Sequence, residues 1–139
     1  MANARDIGIA DVTFIADVDL TQKQYYFVQC ASTAGNVGVA TGTCNPIPIG
    51  VLQNSPSRGQ EAEVRVLGYT KLVCEADVSG CNLAWRNFVY CASDGQGQGA
   101  SVTGSPVNAL FVDPTGLSSG SAVKQVYLFI TTASFLSAC

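Results

Sequence analysis

A run of sixteen residues, 61–76, alternates in polarity along almost its whole length, and it constrains the fold more than any other stretch. Its even positions are small or apolar, whereas its odd positions are mostly charged or polar. Successive side chains of a strand point to opposite faces, so the pattern predicts β-structure with one face in the core. Because strands usually have about 3–10 residues, we expect two strands or one bent strand, with the bend at Gly68.

The rest of the chain contains further short segments rich in strand-forming residues, separated by Gly, Pro, Ser and Asn. We predict strands over residues 11–20, 25–30, 37–40, 49–53, 83–91, 107–112 and 123–130. No segment has a convincing helical period. The sequence therefore predicts an all-β fold with long loops, in which residues 1–20 form an N-terminal arm and first strand and residues 21–139 form the rest of one β-rich domain. The Gly-rich segment 93–101 is predicted to be a flexible loop.

Length and charge narrow the possible partners. A chain of 139 residues can bury a core of its own as one domain. Its seven basic residues are scattered singly and its net charge is −3, so we expect no nucleic-acid partner and no binding to anionic membranes. The start of the chain has no basic region followed by an apolar one, and no stretch reaches about 18 apolar residues, so we expect a soluble protein without a recognisable export signal.

The absence of histidine restricts the chemistry. The absence of histidine excludes catalysis by a Ser-His-Asp triad or a Cys-His pair. We expect no enzymatic activity and no cofactor. The six cysteines include no Cys-x-x-Cys pair, so no metal site is predicted either. Three of them fall in predicted strands, where free cysteine behaves as a small buried apolar residue: Cys30, Cys74 and Cys91. The other three fall in turns or at the end of the chain, where they could form disulfide cross-links: Cys44, Cys81 and Cys139.

Two pairs of carboxylates share predicted strand faces, Asp17 with Asp19 and Glu61 with Glu63. Such pairs can serve as an acid/base dyad or a calcium site, but calcium takes six to eight oxygens from a preformed loop. We therefore interpret both pairs as solvated strand faces. Glu63 and Arg65 are both expected to face opposite charges across strands.

Aromatic residues lie on both faces of the predicted strand 83–91 and on the outer row of the last strand. Such strands lie in the interior of a β-sandwich or are covered by another subunit, because a small domain rarely exposes several large aromatics together. We predict that Trp85 belongs to the core. The predicted subunit interface consists of Phe88, Tyr90, Tyr127 and Phe129.

The segment 50–83 also carries a recognisable motif, which reads GVLQN, a Pro56 turn, GQE, the alternating strand, GYTK and ADVSGCNL. It resembles the central signature of the small capsid decoration (cement) proteins of tailed phages, most closely over residues 47–83. The resemblance implies a compact β-sandwich or barrel-like (β-tulip-like) domain, commonly trimeric. It also implies a place on the outer capsid surface of the virion, after synthesis in the host cytoplasm, where the protein clamps neighbouring major capsid proteins without catalysis.

On this interpretation the N-terminal arm and first strand contact the capsid, because a strand without a hairpin partner can add to a neighbour's sheet edge. The predicted capsid-binding residues are Arg5, Ile7, Ile9, Val12, Phe14 and Ile15. An ordinary edge strand of the domain's own sheet remains the alternative. Two other functions also remain open, namely a secreted or surface β-domain that binds glycans through exposed aromatics, and an enzyme whose site is completed only in an oligomer.

Overall fold

The computed structural model describes residues 10–42, 46–76, 83–99 and 107–129. This part of the chain is all-β, as predicted, and contains nine strands and no helix. The strands are β1 (Ala10–Ala16), β2 (Phe27–Cys30), β3 (Asn36–Val39), β4 (Pro48–Leu52), β5 (Glu61–Glu75), β6 (Phe88–Cys91), β7 (Gly97–Gln98), β8 (Val107–Phe111) and β9 (Ser121–Leu128).

The long strand β5 joins the two halves of the fold. Its first half pairs with β1 and β4, and its second half pairs with β9 over eight residues and touches β7 at one. The change of partners falls at Gly68, which has a φ of 103° that side-chain-bearing residues rarely adopt. Of the two predicted alternatives, two strands or one bent strand, the structure has one continuous strand, and the irregularity lies at the predicted residue Gly68.

Each half of β5 belongs to a ring of five strands. In the first ring the pairings run β1-β3-β2-β4-β5 and return to β1, and in the second they run β5-β7-β6-β8-β9 and return to β5. In both rings one contact is parallel and short: β1 meets β3 over two residues, and β5 meets β7 at one. Of the sandwich and the barrel-like domain that the resemblance implies, the ring-like pairings are nearer to the barrel-like one, although each ring is closed by only one or two residue pairs.

Two adjacent apolar cores fill the rings, and the even face of β5 supplies both. Ala62 and Val64 lie in the first core, whereas Leu72 and Cys74 lie in the second. The odd residues Glu61 and Glu63 are exposed, so the predicted register of inward even and outward odd residues is confirmed. A bend without a shift of parity keeps one face of β5 apolar through both rings.

The first predicted strand is shorter than expected. It ends at Ala16 rather than at residue 20, so Asp17 and Asp19 do not share a strand face. Asp17 accepts a hydrogen bond from Asn36 Nδ2 at 3.0 Å, and Asp19 accepts one from the Thr21 backbone N–H, which lowers the pKa of the Asp19 carboxyl. The Asp19 carboxylate thus holds a local turn, which is a usual role of Asp after a strand, whereas Asp17 links the end of β1 to the start of β3.

The prediction of a flexible loop over residues 93–101 was wrong in part, because β7 lies within it. Gly97 is buried against the second core, where an added Cβ would lie 2.6 Å from Leu72 Cδ2 and 3.0 Å from Val89 Cγ1. The glycine therefore allows close packing here rather than flexibility. The prediction failed because glycine serves both purposes and the sequence does not separate them.

The cysteines divide into different environments. Cys74 and Cys91 are buried and free, as predicted, whereas Cys30 is free but exposed, which corrects its predicted burial. Cys30 lies at the end of β2, where no strand covers its side chain. The three remaining cysteines lie outside the described residues: Cys44, Cys81 and Cys139.

These environments predict selective alkylation. Burial raises the pKa of the Cys74 thiol to about 12, and it does the same for Cys91. Since the thiolate is the nucleophile, iodoacetamide at pH 8 is expected to label Cys30 in the native protein and to spare the other two. Peptide mass spectrometry measures this, with prior unfolding as the control that labels all three. Rapid native labelling of Cys74 would contradict a closed second core.

Candidate interaction surfaces

The predicted capsid-binding residues divide between described and undescribed parts of the chain. Arg5, Ile7 and Ile9 lie outside the described residues. The other three lie on β1, which pairs antiparallel with β5 from Ala10 to Ile15 and parallel with β3 at its end. β1 is therefore a strand of the domain's own sheet, the alternative that the sequence left open.

The structure does not bring the β1 residues onto one surface. Val12 lies opposite the buried Val64, and Phe14 packs against the first core, so both belong to the inner face. Ile15 lies opposite the exposed Glu61 on the outer face. Val12 and Ile15 nevertheless expose 42% and 37% of their surface. One flat partner surface cannot cover both faces at once.

One edge of β1 is open in the described part of the chain. Ala16 N–H donates to Gln60 O beside β5, whereas Ile15 N–H donates to Gly35 O on the other side. Hydrogen bonds alternate sides along a strand, so the backbone groups of Asp11 and Thr13 also point away from β5. β3 reaches only the last two residues of β1. This edge can accept an added strand.

The outer face beside this edge carries the ion pair expected for Arg65. Its Nε and Nη2 donate to Asp11 Oδ1 and Oδ2 at 2.8 and 3.1 Å, and its Nη1 donates to Tyr69 O at 3.0 Å. The pair is partly exposed, so it contributes on the order of 1 kcal/mol or less. It ties β1 to β5 across the outer face.

A row of large side chains crosses the outer face of the second ring. Phe88 lies opposite Leu110, which lies opposite Tyr127, which in turn lies opposite Tyr69. The rings of Tyr69 and Tyr127 are tilted, with centroids 4.9 Å apart, a favourable geometry for an aromatic pair. Phe88 is exposed and the other three are half-buried. The row brings together two of the four predicted interface residues, Phe88 and Tyr127.

The other two predicted interface residues lie apart from this row. Tyr90 follows a register shift in β6, lies opposite Val107 and is half-buried. Phe129 follows β9 and lines a small cavity together with Phe27 and Gly50, where the two rings meet. Its half-buried ring is thus partly used inside the domain.

Trp85 contradicts the sequence prediction, because it is 57% exposed rather than part of the core. The predicted strand 83–91 begins only at Phe88, and residues 84–87 form a turn. Asn87 Oδ1 accepts from Ala84 N–H at 2.8 Å, which holds the turn. The signal available in the sequence was the polar pair Arg86-Asn87 inside an otherwise apolar segment, since Asn favours turns.

Two structural features are absent from the described residues. They contain no group of three or more His, Cys, Asp or Glu placed to hold a metal ion. Within the same ranges there is no helix of sufficient length and hydrophobicity to cross a membrane. The features that these residues do present to solvent are an open strand edge, an aromatic row and an exposed Trp turn.

The fold of this chain has a counterpart among solved structures. The fold resembles that of a phage head fiber N base. The match is to the head fiber gp8.5 N base in bacteriophage phi29, with a TM-score of 0.60 and 13% sequence identity. It covers 87% of this chain and 94% of that chain. At this identity the likeness concerns the fold alone.

Comparisons by sequence find nothing comparable. No family model matches the chain, and no curated protein matches it. Membership of the decoration protein family therefore stays a prediction based on the motif over residues 47–83.

Proposed function

We propose that this protein is a non-enzymatic structural component of a tailed-phage head, seated on the outer surface of the capsid. The observation that carries the proposal is the fold, which matches a phage head fiber N base over nearly the full length of both chains. The resemblance of residues 47–83 to decoration proteins gives independent support. The partner on this proposal is the major capsid protein, and the protein itself associates as a homotrimer.

Head stabilisation on this proposal needs no chemistry. A protein that binds the intact capsid but not its separated subunits shifts the equilibrium toward the intact particle. Contacts across the boundaries of several capsid proteins add up in this way.

The proposal is tested on the phage that encodes the chain. Mass spectrometry of purified heads is expected to detect the protein, and cryo-electron microscopy is expected to place it on the outer surface. Heads that lack the protein should release DNA at a lower temperature, and adding it back should restore the wild-type value. Absence of the protein from purified heads would refute the role.

The capsid contact is proposed to include the arm before β1 together with the open edge of β1. Removing residues 2–9 is expected to reduce binding to protein-free heads at least about tenfold, as measured by co-sedimentation. The deletion stops before Ala10 because β1 belongs to the sheet, and removing residues 10–15 would take away the strand that covers Val64. The melting temperature should stay near the wild-type value. Undiminished binding would refute the arm as a contact.

Glycan binding through exposed aromatics remains the second candidate, and the exposure of Trp85 and Phe88 favours it. A glycan array separates the two functions. Binding to a defined sugar that is lost in Trp85→Ala, combined with absence from heads, would favour this second function over a head protein.

A further inference from the structure

The turn at residues 84–87 together with Phe88, the first residue of β6, is the strongest candidate for a docking surface outside the arm, and we call it the 84–88 turn. Trp85 and Phe88, at 57% and 54%, are the two most exposed large apolar residues of the described chain. Between them lies Arg86, which is also exposed and forms no ion pair within the described residues. Trp and Arg are among the residues that dominate binding energy at protein interfaces.

The backbone holds this turn in one conformation. Arg86 N–H donates to Phe111 O at 2.9 Å, Phe111 N–H donates to Asn87 O at 2.8 Å, and Asn87 N–H donates to Ala84 O at 3.0 Å. Arg86 has a φ of 74°, which costs energy for a residue other than glycine and persists only where the surroundings impose it. A turn that is already ordered loses little conformational entropy on binding.

A surface with complementary properties exists on the same chain. Glu61 and Glu63 are exposed on the outer face at the start of β5, and neither carboxylate is in an ion pair within the described residues. Ile15 lies directly opposite Glu61 and is 37% exposed. We call Ile15, Glu61 and Glu63 the acidic surface, which offers an apolar side chain beside one negative charge and diagonal to a second.

No strand pairing joins the turn to the acidic surface within the described part of one copy, because β6 pairs with β7 and β8 and the acidic surface lies on β1 and the start of β5. The turn belongs to the second ring, and its Phe88 begins the row that reaches β5 at Tyr69. Glu61 precedes Tyr69 by eight residues of strand, or roughly 26 Å of strand length. A contact between them therefore joins two different copies head to tail.

We propose that the 84–88 turn of one copy docks on the acidic surface of a second copy, with Arg86 between Glu61 and Glu63 and the two aromatics over Ile15. This inference specifies the self-association contained in the proposed function. Head-to-tail contacts close into rings when the rotation permits. Closure strengthens the assembly, because every copy then uses both of its surfaces. Ile15 becomes a subunit contact rather than a capsid contact.

The test measures molecular mass in solution by light scattering and sedimentation over a range of concentrations. The wild-type chain is expected to form an oligomer, and Arg86→Asp or Trp85→Ala is expected to raise the dissociation constant at least about tenfold. Asp suits this position because it tolerates positive φ better than most residues. Adding Glu61→Lys and Glu63→Lys to Arg86→Asp reverses the charge on both surfaces of the contact and should restore the oligomer. Lys71→Asp, which alters an exposed cation elsewhere on β5, serves as the matched control and should keep the wild-type mass.

The outcomes separate the two levels of the proposal. A wild-type monomer at every concentration would refute self-association altogether. A wild-type oligomer that is unaffected by Arg86→Asp and Trp85→Ala would refute only the assigned surfaces. Variants that keep the wild-type mass but lose binding to heads or to a glycan would assign the turn to that other partner and overturn the proposal. Whether the protein is present on purified heads is measured in a separate experiment. A failure of the proposed head function is therefore distinguishable from each of these results.

Discussion

Replacing Val64 by Asp is expected to leave the protein unfolded at ambient temperature. Val64 is fully buried in the first core, on the inner face of β5 opposite Leu52 of β4 and Val12 of β1. A carboxyl group there is either a buried charge without a partner or a neutral polar group that has lost its hydration. Either state costs several kcal/mol. Small domains are stable by only about 5–15 kcal/mol in total, so one such change removes much of the margin.

Circular dichroism during heating and urea unfolding measure this effect. The matched control is Val123→Asp, because Val123 also lies in a strand but is 51% exposed on the outer face of β9. The control should change the melting temperature by only a few degrees. If Val64→Asp melted like Val123→Asp, the assignment of even residues of β5 to the core would be wrong.

The buried thiols add a pH dependence to this stability. For Cys74 and Cys91 the pKa is about 12 in the folded chain against 9.0 for an unperturbed thiol, because burial disfavours the thiolate. The folded state therefore holds these protons more tightly than the unfolded state. Their contribution is fully present below about pH 9 and is lost as the pH rises toward 12.

The sequence predicted β5 well because its signal is local. Alternation of polarity depends only on which side chains share a face, and it remained in phase across Gly68 because the bend did not shift the parity. The two rings were not predictable in the same way. The closing contacts of β1 with β3 and of β5 with β7 involve few residues far apart in the sequence, and no local pattern encodes such pairings.

Trp85 shows why the candidate surface could not be found from the sequence. A tryptophan in an apolar segment is more often buried than exposed, and the prediction followed that tendency. Its exposure depends on the hydrogen bonds that Arg86 and Asn87 form with Phe111 of β8, more than twenty residues away along the chain. Tertiary contacts of this kind override the strand propensity of the segment.

The candidate surfaces share one organising element. The first half of β5 supplies Glu61 and Glu63 to the outer face beside Ile15, and the second half supplies Tyr69 to the aromatic row that ends at Phe88. The inner face of the same strand fills both cores. The motif over residues 47–83 therefore specifies the fold directly and sets the spacing of the surfaces indirectly.

Replacing Gly50 by Ala is expected to lower the free energy of unfolding by about 1–3 kcal/mol, the usual cost of overpacking a core. A Cβ at Gly50 would overlap with Arg65 O and lie 2.8 Å from Val64 Cγ1. The first of these atoms is backbone, so β4 must move away from β5 to accommodate the methyl group. Such a shift disturbs both cores together, because Val51 packs in one and Leu52 in the other.

Gly38→Ala is the matched control for this substitution. Gly38 also lies in a strand, but an added Cβ would have nothing within 4 Å, and alanine restricts the unfolded chain more than glycine does. The control is therefore expected to be neutral or to stabilise by up to about 1 kcal/mol. The urea midpoint of the Gly50→Ala variant should fall, whereas that of the Gly38→Ala variant should rise or stay at the wild-type value. A Gly50→Ala protein as stable as the wild type would contradict the close pairing of β4 with β5, and with it the joint between the two rings.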